Sequence, residues 1–230
     1  MLEIKSVKSK MVGPLSLSVK KGQCVAILGK SGSGKSLFLR AIADLDPNEG
    51  EIFLNGEDRA KISACEWRRK LMLVPAQSGW WADTVGEHFG ETAKGACDAS
   101  KTYDASKTNG ACKTNGASII ASLLASLDLP PKALSWQVSR LSTGERQRLA
   151  LARAFALQPL GLMLDEPTAA LDPDATARVE ALIKQQLALG VCVILITHDA
   201  KQAARLADVA YMLANNQLTV ISDNDRPGTP

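Results

Sequence analysis

A chain of 230 residues has room for one α/β core with a smaller subdomain, and not for two full-sized globular units. Its 46% apolar and 22% charged residues are ordinary for a globular domain, and its apolar runs fall well short of bilayer length, so no membrane-spanning segment is expected. A net charge of +3 spread over dispersed Lys and Arg gives no footprint for nucleic acid, and none is expected as a partner.

The opening stretch MLEIKSVKSK lacks the apolar centre of a secretory signal, which predicts a chain that stays in the cytosol. Apolar and polar residues alternate over Leu2 to Val7 and Leu15 to Val19 around Gly13-Pro14, the pattern of two short antiparallel strands. Cys24-Val25-Ala26-Ile27-Leu28 is instead unbroken apolar sequence, as in a strand buried on both faces. Similar runs recur at Leu71 to Val74, Leu160 to Leu164 and Val191 to Ile196. Helical patterns lie between them at roughly Lys35 to Leu45, Thr143 to Leu157 and Ala175 to Leu189. That alternation predicts an α/β fold with a parallel sheet covered by helices. From Gly95 to Ser118 the texture changes: Ala-Ser-Lys-Thr at 99–102 recurs at 105–108, and Ala-Cys-Lys-Thr follows at 111–114. So polar a tract buries too little apolar surface to offset its ordering entropy, which predicts a mobile insertion. Ser118 to Leu129 resumes a helical pattern, closed by Pro130-Pro131. The five cysteines, Cys24, Cys65, Cys97, Cys112 and Cys192, have no close metal or redox spacing and read as reduced thiols.

Gly29-Lys30-Ser31-Gly32-Ser33-Gly34-Lys35-Ser36 is a full P-loop, set directly after a buried strand and before a helix. Its glycines let backbone N–H groups wrap a phosphate, and the helix amino-terminus adds the positive end of its dipole. Lys35 is placed to reach the β and γ phosphates of ATP, and the Ser36 hydroxyl is a hard oxygen ligand for Mg²⁺. Downstream, the run Leu160 to Leu164 ends in Asp165-Glu166, a Walker B pattern. Acids at a strand end are commonly just solvated, but a P-loop earlier in the chain gives these two a task. Asp165 can hold Mg²⁺ through water, and Glu166 can polarise the attacking water.

Kinases, helicases and GTPases share both motifs. Leu141-Ser142-Thr143-Gly144-Glu145, followed by Arg146-Gln147-Arg148, resembles the signature Leu-Ser-Gly-Gly-Gln of the ABC ATPases. Gln77 after the strand at 71–74, Ala170-Leu171-Asp172 after Walker B and His198 after the strand at 191–196 stand in that family's order. The chain thus resembles an ABC transporter ATP-binding subunit over nearly its whole length. The resemblance implies a P-loop NTPase of RecA-like core, with an antiparallel β subdomain and a helical subdomain. It would be one domain over 1–230, with core and β subdomain at 1–77 and 142–222 and the helical subdomain at 78–141.

By the same resemblance, Ser142, Thr143 and Gly144 cap the γ-phosphate held by the P-loop of a second subunit, so two chains sandwich two ATP molecules head to tail. Gln77 senses Mg²⁺ and the lytic water, Asp172 lines the dimer seam, and His198 contacts the γ-phosphate. The implied partners are a second ATPase subunit and a separate integral membrane permease, with the chain peripheral on the inner face of the cell membrane. A soluble ABC ATPase acting in translation or DNA repair is the alternative, though such proteins usually carry two of these domains or a long coiled-coil insertion. Thr143 and Glu145 replace the second Gly and the Gln of the usual signature, and the aromatic residue that stacks on adenine is missing from Lys8 to Pro14. The latter implies weaker selection of ATP over GTP. Trp80 and Trp81 fall where the family receives the permease's coupling helix; lining that groove and packing in the subunit's own core are both open readings.

Overall fold

The computed structural model describes residues 1–89 and 116–221. These form two compact units: Met1–Ala76 with Pro159–Ala169 and the chain from Val179 on, and Gln77–Gln158 with Ala170–Arg178. The expected helical division at 78–141 falls within the second unit, which also takes in the helix that follows Ser142.

The first unit holds both sheets. Strands β1 (Leu2–Ser9), β2 (Leu15–Val19), β4 (Asn48–Leu54) and β5 (Glu57–Asp58) form an antiparallel sheet in the order β2-β1-β4-β5. The larger sheet runs β10-β9-β3-β8-β7-β6, built from β3 (Cys24–Leu28), β6 (Leu71–Val74), β7 (Gly161–Asp165), β8 (Cys192–Ile196), β9 (Val209–Ala214) and β10 (Gln217–Ile221). All its pairings are parallel except β10 on β9. The unbroken apolar runs behave as their composition requires, since every residue of β3, β7 and β8 is buried.

Helix α1 (Lys35–Ile42) packs Phe38, Leu39 and Ile42 into a core shared with Leu2 and Ile4 of β1 and Ile27 of β3. Helix α2 (Ala64–Lys70) is anchored by Trp67, fully buried, whose indole N–H donates to the Ile42 carbonyl at 2.8 Å. That bond satisfies the one polar atom of an otherwise apolar side chain. The sequence reading did not anticipate α2, β4, β5, β9 or β10.

The second unit is helical, with α3 (Gly116–Ser126) and α4 (Thr143–Ala156) as its long elements. Gly116 to Ser118, expected to end the polar repeat, lie in helix α3 instead. The rest of the repeat lies outside the described residues, as do Cys97 and Cys112. Cys24, Cys65 and Cys192 carry free thiols, and burial with the nearby charge of Asp208 pushes the Cys24 thiol up to about 12. Helix α5 (Pro173–Ala188) begins in the second unit, and α6 (Ala200–Leu206) lies in the first.

Candidate functional site

The carboxyl ends of β3, β7 and β8 all open on one edge of the larger sheet, which is where a parallel α/β sheet presents its binding crevice. A cavity of about 360 Å³ lies there, lined by Gly29, Ser31, Gly32, Gly34, Lys35, Ser36 and Leu37 of the P-loop and α1, with Asp165, Glu166 and His198. Lys30 and Ser33 belong to the same loop, whose turn is closed by Ser33 N–H donating to the Lys30 carbonyl at 3.2 Å.

Gly34 is the residue on which the loop's shape depends. It caps α1 with φ of 96°, and a Cβ there would overlap the Val12 side chain. From it, α1 starts with its first N–H groups unpaired within the helix and directed at the cavity. The Lys35 ammonium donates to the carbonyls of Gly29 at 2.8 Å and Lys30 at 3.0 Å. It is thereby held over the loop with its third N–H uncommitted among the described residues. The Ser33 hydroxyl is buried with no partner among the described residues, an orphan that a phosphate oxygen would satisfy.

The Ser36 hydroxyl is bonded to the Asp165 carboxylate. Burial pushes the Asp165 carboxyl above the usual aspartate range; the Ser36 bond pulls against that, the Glu166 charge adds to it, and Lys35 opposes it. A desolvated acid beside a hydroxyl is a donor set of hard oxygens, and it fits Mg²⁺ whose remaining ligands come from phosphates and water. Among the described residues no cluster of three or more His, Cys, Asp or Glu could hold a metal by itself.

Glu166 follows β7 with φ of 48°, in the left-handed region that a residue with a side chain rarely adopts. Its N–H still donates to Ile196 of β8 at 2.9 Å, so the ladder continues while the side chain swings toward the cavity. One carboxylate oxygen accepts from His198 Nδ1 at 2.8 Å. The acid and the imidazole expected to act near the γ-phosphate are therefore a hydrogen-bonded pair in the same cavity as the P-loop, Ser36 and Asp165.

The remaining expected residues belong to the second unit. Gln77 is exposed at its first position. Ser142 is the N-cap of α4 in a reciprocal capping box: its hydroxyl accepts from Glu145 N–H at 3.3 Å, and its own N–H and O–H both donate to the Glu145 carboxylate at 2.8 Å. Those bonds hold the Glu145 carboxyl below its ordinary range. Thr143 and Gly144 follow in the first turn, and Gly144 has room for little more than hydrogen, since a Cβ would stand 3.3 Å from the Ala170 carbonyl oxygen. Asp172 caps α5, accepting from Ala175 N–H at 2.8 Å.

In the same unit the Trp pair divides its duties. Trp80 is half-buried, whereas Trp81 is 73% exposed. Both indoles meet the His88 ring, and the Arg153 guanidinium lies 4.9 Å from each indole centroid. His88 Nε2 accepts from the N–H groups of Trp81 and Ala82 at 2.9 and 3.1 Å, so its proton sits on Nδ1, facing the Thr84 carbonyl. Burial among these rings lowers the Arg153 guanidinium from its usual range.

Comparison with known proteins identifies the family. Residues 12–169 match the family model described as ABC transporter. The chain is 36% identical over 215 residues to Protein STAR1 of Oryza sativa subsp. japonica, which covers 90% of this chain and 56% of that protein. It is 30% identical over 217 residues to ABC transporter I family member 17 of Arabidopsis thaliana, covering 93% of this chain and 76% of that one. The chain thus spans little more than half the length of the first of these relatives and three quarters of the second. Among solved structures, it is similar to a dimeric ATP-binding cassette in a post-hydrolysis state bound to ADP and Pi, with a TM-score of 0.75, 26% identity, and coverage of 95% of this chain and 96% of that one. The match spans more than half of this chain, so the chain belongs to the ABC transporter family, among its ATP-binding subunits.

Proposed function

We propose that this chain binds ATP with Mg²⁺, hydrolyses it in a head-to-tail dimer, and so drives a separate membrane permease. The observation that carries this reading is the convergence of Lys35, the Ser36–Asp165 pair and the Glu166–His198 pair on one cavity at the end of a parallel sheet.

The loop from Gly29 to Ser36 receives the phosphates on backbone N–H groups and the α1 amino-terminus, with Lys35 meeting the β and γ oxygens. Ser36 and Asp165 would hold Mg²⁺, and that ion would supply neutralisation of phosphate charge. Glu166 accepts the proton of the attacking water at a carboxylate oxygen, while His198 orients that carboxylate through Nδ1 and faces the γ-phosphate with its other edge. Ser142, Thr143 and Gly144 form an N-terminus suited to an anion, and in a dimer they would close on the γ-phosphate held by the other subunit. The similarity to a cassette solved as a dimer with ADP and Pi supports that arrangement.

Transport is supported by the family and by Trp81, an exposed indole braced by His88 and Arg153, which is the kind of rigid anchor that protein interfaces use. In this reading the permease is a separate partner and the chain lies peripheral on the cytoplasmic face; no helix among the described residues is long and apolar enough to cross a membrane.

Phosphate release by the purified chain with Mg²⁺ and ATP, compared with Lys35→Ala, tests the enzymatic reading. Turnover should fall to background in the variant, and equal turnover would refute the P-loop assignment. Light scattering with ATP then tests dimerisation.

A further inference from the structure

Glu166 and His198 are each followed by residues that reach into a single polar cluster inside the first unit. Thr168 stands two positions past Glu166, in a turn closed by Ala169 N–H donating to the Glu166 carbonyl at 3.3 Å. Gln202 stands four positions past His198 on α6 and is only 1% exposed. Its amide nitrogen donates to the Thr168 hydroxyl at 2.8 Å and to the Glu180 carboxylate of α5 at 3.3 Å. Glu180 is itself buried and receives Arg205 of α6 in a two-pronged pair, Nε at 2.9 Å and Nη2 at 2.7 Å. Arg205 also lies 3.9 Å from Asp199, which caps α6 through Lys201 N–H at 2.8 Å.

Stability alone is a poor explanation for this cluster. Glu180 must leave water to sit here while Arg205 stays 45% exposed, and a pair with one partner in solvent adds little to stability. The Gln202 carbonyl oxygen is buried with no partner among the described residues, so the amide occupies its site at a cost that an apolar residue would avoid. What the amide provides is a nitrogen with two N–H groups, one for the loop after Glu166 and one for a carboxylate fixed by Arg205. His198 cannot be placed by packing, since its side chain is 69% exposed. Its position depends on the backbone between buried Thr197 and the start of α6, where Asp199 N–H donates to the Thr197 hydroxyl at 3.0 Å. The cluster ties that backbone to the turn after Glu166.

We propose that Thr168, Gln202, Glu180 and Arg205 form a positioning network that sets the Glu166–His198 pair for attack on the γ-phosphate, acting through the two backbone segments without touching nucleotide. It rests on the reading of Glu166 as the base. Because ATP is held by the P-loop, the network bears on kcat and leaves KM alone.

Thr168→Val keeps the shape of the side chain and removes the oxygen that Gln202 reaches. Steady-state ATP hydrolysis by the full chain should show kcat lowered about tenfold, since small misplacement of a reacting group is enough for such a loss. KM for ATP and the affinity for a fluorescent ATP analogue should stay within about twofold of wild type, as uniform binding is untouched. Thr168→Ser, which restores the hydroxyl, should recover most of the rate. Arg205→Met, which keeps the stem but loses the fork, should lower kcat with the same unchanged KM. A wild-type kcat in Thr168→Val, a rise in KM that accounts for the loss, or no recovery in Thr168→Ser would each overturn the network. Glu166→Gln, measured alongside, separates the two readings: if it abolishes turnover while Thr168→Val turns over at the wild-type rate, the base stands and the network falls. If Glu166→Gln retains turnover, the base falls and the network with it.

Discussion

Replacing Glu166 by Gln removes a base while leaving its surroundings almost untouched. The carboxylate accepts from His198 Nδ1 at 2.8 Å, and a carboxamide oxygen of the same reach accepts there equally well. Backbone strain does not change either, because both residues pay the same cost, on the order of 1 kcal/mol, for the left-handed conformation at this position. Only basicity is lost. General base catalysis contributes about 10²- to 10⁴-fold, or about 3–5 kcal/mol of barrier, so kcat should fall by at least about two decades. Glu166→Asp makes the complementary change: the carboxylate keeps its charge but retreats by about 1.5 Å, the length of one carbon–carbon bond. It then lies beyond hydrogen-bond reach of His198, and an intermediate loss is expected. Phosphate release at saturating Mg²⁺ and ATP measures both. The Gln variant should still bind ATP, and light scattering should report a dimer that Ser142→Arg disrupts by placing charge and bulk at the α4 amino-terminus. Wild-type turnover by Glu166→Gln would refute the assignment of the base.

Other expectations follow from charge and conformation. Burial raises the Asp165 carboxyl, so its contribution to stability is present at acid pH, below the unfolded value, and is lost as pH rises through the raised folded value. Asp165→Asn should therefore raise the melting temperature of the nucleotide-free protein at neutral pH, with the gain closing toward acid pH, and should abolish the further rise that Mg²⁺ with ATP gives the wild type. A lower melting temperature at neutral pH would contradict this. Glu145 has the opposite sign, because its bonds to Ser142 depress the carboxyl and stabilise the fold above the unfolded value near pH 4.3, an effect lost as pH falls through the lower folded value. Ser142→Ala, which removes the cap, should cost about 1 kcal/mol in urea titrations at pH 7, and Glu145→Gln less. Gly34→Ala should abolish ATP binding measured by calorimetry, because Ala at φ of 96° overlaps Val12 and displaces the start of α1.

Sequence alone was most informative where one physical requirement dominates. Five consecutive apolar residues, as in β3, leave no exposed face, and a P-loop between such a strand and a helix fixes both the sheet edge and the ligand class. It was least informative where tertiary packing decides. In β4 only Ile52 and Leu54 are buried, so the run Asn-Glu-Gly-Glu ahead of them carries no strand period. The β9–β10 hairpin did leave a trace: Asn215 and Asn216, with φ of 50° and 57°, are the residue type that a primed two-residue turn favours. A similar trace marks α2, since Ser63 accepts from Glu66 N–H at 3.2 Å, and Ser-x-x-Glu is the spacing that also opens α4 at Ser142 and Glu145.

The role of side chains beyond the motifs was not legible, and Gln202 shows why. Helix α6 has the composition of any surface helix, with Lys201, Ala204 and Arg205 exposed, and nothing in its spacing separates a buried amide from a solvated one. Its meaning arises only when α5 brings Glu180 and the turn after Glu166 brings Thr168 to the same point. Motifs identify groups that must meet the phosphates, because the ligand's charge dictates residue type and spacing. The residues that set those groups in place answer to the fold, where a hydroxyl, an amide or a carboxylate can each serve if geometry allows. Thr168→Val keeps the shape and removes the oxygen, whereas Thr168→Ser keeps the oxygen and removes a methyl group, which is why the pair can separate the requirement for an oxygen from the requirement for a well-packed loop.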